Sequence, residues 1–415
     1  MKIDNVTSAA PKPLANYSEA VKVGPWVFAA GQLPSDFKTG VAPEARKREG
    51  FPYYGSDIKL QTRYVLENLT KTFEAAGSSL DNVVKAQVFL MDLEDFNGFD
   101  EVWREFFKSP PPRTTIGTTG LMVPGTLVEI DLIGFVSASG IERKAVKSDI
   151  PQPLANYTEA FAVGDLVFAA GQVPSDFKNG VALEARKREG FPYYGSDIKL
   201  QTRYVMENLK KTFEASGSSL DDVVKAQVFL MDLDDFNGFD EVWREYFKTP
   251  PPRTTIGTTG LLVADILVEI DLIGVKSGVE RKAIKSSNPQ PLANYTEAFV
   301  AGGLVFAAGQ LASDFQAGVA PEARVDPAFP YYNSSIKKQT RYILEHLKTT
   351  FEAAGSSLDH VVKAQVFLTD LNEFCAFDEV WREFFKTPPP RTTVGTTGLL
   401  IEGTLIEIDL IGVTK

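Results

Sequence analysis

Arg113, Arg253 and Arg391 each follow a run of three prolines and open the strings RTTIGTTG, RTTIGTTG and RTTVGTTG. Proline fixes its own φ and stiffens the chain, so the run aims whatever comes after it. Arginine always carries its charge, and its planar fork fits a carboxylate with two parallel hydrogen bonds. It either grips a carboxylate-bearing ligand or closes a structural salt bridge, and spacing alone leaves both readings open. Small residues behind it, Thr115, Thr255 and Thr393 among them, leave room for a ligand. Glu129, Glu269 and Glu407 recur downstream in VEIDLIG, VEIDLIG and IEIDLIG. In the first of these, strand alternation puts Val128, Ile130 and Leu132 on one face and Glu129 and Asp131 on the other. Such a carboxylate pair is a solvated face or, in an assembly, an interface where one carboxylate can orient a water.

Three further groups could line a site. Tyr17, Tyr157 and Tyr295 close the string PLANY and offer a phenol to a ligand or to an interface. Gly31, Gly171 and Gly309 end a strand, where a backbone amide can be left free, with a tight turn as the alternative. Tyr53, Tyr193 and Tyr331 stand in FPYY on a long loop, as pocket wall or loop anchor.

These groups recur because the chain repeats itself. PLANY starts at Pro13, Pro153 and Pro291, spacings of 140 and 138 residues, and the arginines and glutamates keep the same offsets. Each repeat has the size of a domain, unlike the 20–50-residue repeats of solenoids. We therefore expect three fused units, 1–138, 139–278 and 279–415. The joins, SASGIERKAVKSDIPQPL and KSGVERKAIKSSNPQPL, are polar and basic. About 17 extended residues reach roughly 55 Å, enough to cross a domain face. Three such units on tethers suggest a homotrimer tied into one polypeptide, with pseudo-threefold symmetry, monomeric as a chain.

Residues present in one unit alone cannot serve a shared site. His346, His360 and Cys375 all fall in the third unit. Two histidines and one cysteine cannot equip three sites, so histidine acid–base catalysis, cysteine nucleophiles and zinc are not expected.

Composition narrows the partners. A net charge of -11 works against nucleic acid or an anionic membrane as the main partner, because phosphate binding rests on clustered Lys and Arg. No apolar run approaches the roughly 20 residues of a membrane span, and the N-terminus lacks an apolar leader. The single cysteine excludes an intrachain disulfide. The expected setting is the cytoplasm.

Within the first unit, YSEAVKVG and PWVFAAGQ read as a hairpin around a Gly-Pro turn. SDIKLQTRYVLENLTKTFEAAG reads as a helix capped by Ser56 and stopped by Gly77, and NVVKAQVFLMDL as a buried strand. LEDFNGFDEVWREFF is a second helix whose Phe99, Trp103, Phe106 and Phe107 make a core stripe. RTTIGTTGL and LVEIDLIGF are two more strands. The order ββαβαββ predicts an α+β unit with two helices on one face of a mixed sheet.

The combination of NY…VFAAGQLP, VVKAQVFLMDLEDF and the proline–arginine strand followed by VEIDLIG resembles the YjgF/RidA family of reactive-intermediate deaminases, through each of the three units. The resemblance implies a chorismate-mutase-like fold, a compact trimer, clefts between neighbouring units, and no metal or cofactor. It also implies roles. Arg113, Arg253 and Arg391 would grip a substrate carboxylate, while Glu129, Glu269 and Glu407 would handle water and protons. Tyr17, Tyr157 and Tyr295 would line the cleft. The reaction implied is hydrolysis of a C=N or C–N bond in a small carboxylate-bearing molecule, an imine or enamine deamination. The alternatives are a non-catalytic small-carboxylate-binding or chaperone-like protein and, less favoured by the charge, an endoribonuclease. Several positions depart from the family pattern: Ala30, Ala170 and Ala308 replace a serine, Asp100, Asp240 and Asp378 an asparagine, and Thr115, Thr255 and Thr393 a cysteine. These departures point to a larger or aromatic-lined cleft.

Overall fold

The computed structural model describes every residue except 48, 49, 51–54, 188, 189, 191–194 and 330–333. Tyr53, Tyr193 and Tyr331 therefore lie outside the described residues.

The first unit runs β1 (Ile3–Val6), β2 (Ala20–Val23), β3 (Trp26–Ala29), α1 (Asp57–Ala75), β4 (Val83–Leu90), α2 (Phe96–Phe106), β5 (Arg113–Gly117) and β6 (Val128–Phe135). The second repeats it as β7 (Arg143–Val146), β8 (Ala160–Val163), β9 (Leu166–Ala169), α3 (Asp197–Ala215), β10 (Val223–Leu230), α4 (Phe236–Tyr246), β11 (Arg253–Gly257) and β12 (Val268–Val275). The third comprises β13 (Arg281–Ile284), β14 (Ala298–Ala301), β15 (Leu304–Ala307), β16 (Gln310–Leu311), α5 (Ser335–Ala353), β17 (Val361–Leu368), α6 (Phe374–Phe384), β18 (Arg391–Gly395) and β19 (Ile406–Val413).

In the first sheet the strands lie in the order β1-β2-β3-β6-β4-β5. Only β4 and β5 run parallel; the other pairs are antiparallel, so the sheet is mixed as expected. One strand was missed. β1, and its counterparts β7 and β13, add an edge to each sheet, so RKAV and RKAI in the joins are ordered strands rather than plain tether. Short four-residue strands with exposed Lys144 and Lys282 look like linker in sequence, because charged edges are how sheets avoid sticking to one another.

Helices α1 and α2 cover one sheet face. Val65, Leu66, Leu69 and Phe73 from α1 and Phe99 and Trp103 from α2 pack on Ala86, Val88, Ile130 and Leu132. Ser56 precedes α1 as expected, but its side chain makes no capping hydrogen bond. The opposite face meets the other two sheets. Phe28, Val84 and Ile133 of the first unit share one cluster with Phe168, Val224 and Ile273 of the second and Phe306, Val362 and Ile411 of the third.

A β-bulge decides what else points there. Val83 pairs with Gly134 and Lys85 with Ile133, leaving Val84 as the extra residue. A bulge turns two successive residues to the same side. Val84 and Lys85 thus both face the neighbouring units, and Gln87 follows them. Lys85 pairs with Asp271 at 2.6 Å, Lys225 with Asp409 at 2.6 Å, and Lys363 with Asp131. Gln87, Gln227 and Gln365 close a ring in which each amide donates to the next. Together they enclose a cavity of about 30 Å³. Burying charge without a partner costs several kcal/mol, so each lysine arrives with its aspartate from the next unit.

Candidate active site at the junctions

β5 begins at Arg113, where the proline run ends. Proline has no N–H, so the run joins its neighbours through carbonyls: Ala86 N donates to Pro112 O at 2.9 Å, and Thr158 Oγ1 of the second unit donates to Pro110 O at 2.6 Å. Arg113 is 3% exposed. Its Nη2 donates to Asp100 of α2 at 2.9 Å, and Arg104 donates to the other oxygen of the same carboxylate at 2.9 Å. The guanidinium lies about 5 Å from the rings of Phe99 and Trp103 and 5.9 Å from Tyr157. The aromatic stripe expected to be core therefore also forms a box for the arginine. The salt-bridge reading of this residue holds for one nitrogen, while Nη1 has no hydrogen-bond partner.

The second unit completes the cleft. The PLANY segment docks on α2, with Trp103 Nε1 donating to Asn156 O at 3.1 Å and Arg104 Nη2 to Leu154 O at 3.3 Å. This sets Tyr157 across from Arg113. Glu269 lines the same cavity, of about 190 Å³, together with Arg113, Thr115, Tyr157 and Gly171. The backbone N–H of Thr115 holds the Glu269 carboxylate. The pattern continues cyclically. Arg253, Thr255, Tyr295, Gly309 and Glu407 line a cavity of about 240 Å³. Arg391, Thr393, Tyr17, Gly31 and Glu129 line one of about 560 Å³. An arginine and a glutamate of the same unit thus face different cavities.

Burial sets the electrostatics. Glu129, Glu269 and Glu407 are each pushed up to about 8, first by burial and then by the neighbouring Asp131, Asp271 or Asp409 on the same strand. At neutral pH these carboxyls are mostly protonated. Oε2 of Glu129 and of Glu407 has no hydrogen-bond partner. Burial raises the Tyr17, Tyr157 and Tyr295 phenols, which stay neutral hydrogen-bonding groups.

Two expectations need correction. Of the two readings of the glycine, a tight turn first and a free amide second, the free amide does not hold in two cavities: Gly171 N donates to Arg113 O at 3.2 Å and Gly309 N to Arg253 O at 3.3 Å. What the position requires is the absence of a side chain, since a Cβ on Gly31 would lie 1.9 Å from Glu129 Oε1. Nor do the small residues behind the arginine mainly leave room. Thr114 Oγ1 donates to Asp271 at 2.5 Å, Gly117 N to Gly260 O at 3.0 Å, and Thr118 Oγ1 to Gly395 O at 2.7 Å. RTTIGTTG is chiefly a clasp between units, and Thr115 alone among its threonines lines the cavity.

Sequence reasoning missed the exposed leucines. Leu14, Leu154 and Leu292 are 77–80% exposed, each at the rim of one cavity. It also missed Lys85 and Gln87, whose alternation in VVKAQVFL marks a polar stripe on an otherwise apolar strand. Asp100 appeared only as a departure from a pattern; its i, i+4 spacing to Arg104 was the available signal.

The fold and the repeated cavities define a protein of three sheet-plus-helix units with one buried arginine and one buried glutamate at each junction. The model of the family described as Endoribonuclease L-PSP matches residues 7–136, 147–276 and 285–414, and the chain belongs to that family. A RutC family protein of Pyrococcus horikoshii is 40% identical over 129 residues, covering 31% of this chain and 94% of its own. A 2-iminobutanoate/2-iminopropanoate deaminase of Dermatophagoides farinae is 31% identical over 116 residues, 28% of this chain and 82% of its own. A chorismatase crystal structure aligns over 80% of this chain and 93% of its own, with TM-score 0.52 and 12% identity, a likeness of fold. Among the described residues, no helix is long and apolar enough to cross a membrane.

Proposed function

We propose that the chain is a cofactor-free deaminase of 2-imino acids or their enamine tautomers, with one active cleft at each of three junctions of a pseudo-threefold trimer built from one polypeptide. The observation that carries this reading is the convergence of Arg113, Tyr157 and the protonated Glu269 on one cavity, with Arg113 Nη1 unspent. The deaminase among the relatives supports the same chemistry.

Asp100 is shared by Arg113 and Arg104, so with Glu269 neutral this cluster carries about one net positive charge toward an anionic ligand. The substrate carboxylate takes Arg113 Nη1, and this places the C=N carbon beside Glu269. Glu269 donates its proton to the imine nitrogen, and water adds to the carbon while giving a proton to the resulting carboxylate. The carbinolamine then accepts that proton at nitrogen. As the C–N bond breaks, ammonia leaves and the oxygen returns its proton to Glu269, giving the 2-oxo acid. A group titrating near neutral pH suits both the donor and the acceptor step, and positioning against fixed charge provides the rest.

Arg113→Ala, Arg253→Ala and Arg391→Ala combined should abolish ammonia release from freshly generated 2-iminobutanoate or 2-iminopropanoate, with the fold retained by circular dichroism. Unchanged release would overturn the assignment. The net charge of -11 works against RNA as a substrate.

A further inference from the structure

The three clefts share their polar end, but the rest of their walls differ. The Arg391–Glu129 cleft encloses about 560 Å³, against about 240 Å³ for Arg253–Glu407 and about 190 Å³ for Arg113–Glu269. Among the substitutions in their linings, two bear on the difference. The second residue of α6 is Cys375, lining the large cleft, where α4 puts Asn237 in the wall of the middle one and α2 has Asn97 in sequence. The rim residue is Met122 in the large cleft, where the others carry Leu262 and Leu400. A thiol is smaller and less hydrated than a carboxamide, and methionine is the most adaptable of the apolar side chains. Inside the same cleft, Glu129 Oε2 and Arg391 Nε, both on residues 3% exposed, have no hydrogen-bond partner. Toward solvent, Leu14, Phe37 and Val123 form an apolar part of the wall, beside the exposed Glu379 and Arg382.

We infer that the clefts are not interchangeable: the Arg391–Glu129 cleft is the one that takes carboxylates with long apolar side chains, and Cys375 and Met122 are the residues that open it to them. This rests on the carboxylate-binding reading of the clefts proposed above, and it deepens that reading by naming which ligands go where. The polar anchors are common to all three clefts, so a short ligand finds three sites. A phenyl-bearing ligand needs the extra volume, so it finds one. Cys375 is also exposed and is the chain's single cysteine, so this cleft alone carries a wall that an alkylating carboxylate can mark. In that step the sulfur displaces iodide from iodoacetate, forming a C–S bond, and the thiol proton passes to solvent.

Calorimetric titration of the full chain tests this without turnover. The probes are 2-oxobutanoate and 4-phenyl-2-oxobutanoate, the first short and the second long. The expected stoichiometry is three per chain for the short acid and one for the long. The Arg391→Lys variant should weaken the long acid at least tenfold, while Arg113→Lys and Arg253→Lys leave it within twofold. Cys375→Asn restores the residue of the other two units, so its fold is safe. It should weaken the long acid several-fold and leave the short one unchanged. Iodoacetate should block the long acid in the wild type only. Three long acids per chain, or equal losses in all three lysine variants, would overturn the inference. Ammonia release is measured in parallel. Its absence with binding intact would sink the deaminase reading alone, failure of the long acid alone would sink the inference alone, and failure of both acids to bind would sink both.

Discussion

Arg113 of the first unit and Glu269 of the second face one cavity, whereas Arg113 and Glu129, which share a unit, face different ones. β5 and β6 run from the same sheet to opposite junctions, so each unit lends its arginine forward and its glutamate back. Residues acting in one site are non-additive, and residues in separate sites add. With a short substrate, Arg113→Lys combined with Glu269→Gln should cost about one third of the ammonia-release rate, no more than either change alone. Arg113→Lys combined with Glu129→Gln should cost about two thirds. Steady-state rates of the four variants check the order.

The pH dependence follows from the glutamates. Their carboxyls are raised to about 8 in the folded chain from an ordinary value near 4.5. A raised group contributes stability that is fully present below its unfolded value and is lost as pH rises through its folded one. The melting temperature should therefore fall between pH 4.5 and 8 more in the wild type than in the Glu129→Gln, Glu269→Gln, Glu407→Gln triple variant. Parallel curves by scanning calorimetry would contradict the burial argument. The kcat/KM for imine hydrolysis should fall as pH rises past about 8, where the donor form is lost.

Gly31 has an ordinary φ, so alanine at that position would strain space rather than backbone. Its Cβ would lie 1.9 Å from Glu129 Oε1 and 3.0 Å from Thr392 Cγ2. Gly31→Ala, Gly171→Ala and Gly309→Ala together should displace all three carboxylates and lower kcat on the order of 10²-fold, the low end for loss of a general acid–base. Circular dichroism should change little.

Lys85 lies behind the site rather than in it. Its Nζ reaches Asp271 at 2.6 Å and Ala169 O at 2.5 Å, bracing the segment that ends in Gly171. Replacing it with methionine strands Asp271 in the interior. Loss of one partner from a buried pair costs about 3–5 kcal/mol, and urea unfolding of Lys85→Met should show a loss of that order. Lys85→Met with Asp271→Leu should recover much of it.

The sequence determined much of the unit. Periodicity placed α1 and α2, the alternation of VEIDLIG put Ile130 on the helix side and Glu129 away from it, and the repeat placed the recurring arginines, glutamates and tyrosines. Three similar copies of each motif made the family legible, because local pattern reports which residues share a face. The tertiary structure decided what those faces meet. It paired Arg113 with Asp100 in an aromatic box and turned Lys85 inward through a bulge. It gave the threonines and glycines of RTTIGTTG to the seams between units and joined each arginine to the next unit's glutamate. None of these is a local property. A strand's own alternation separates inside from outside, but only the packing of three sheets decides which residues of distant repeats share one buried, weakly screened space. That space raises a surface-looking carboxylate to about 8.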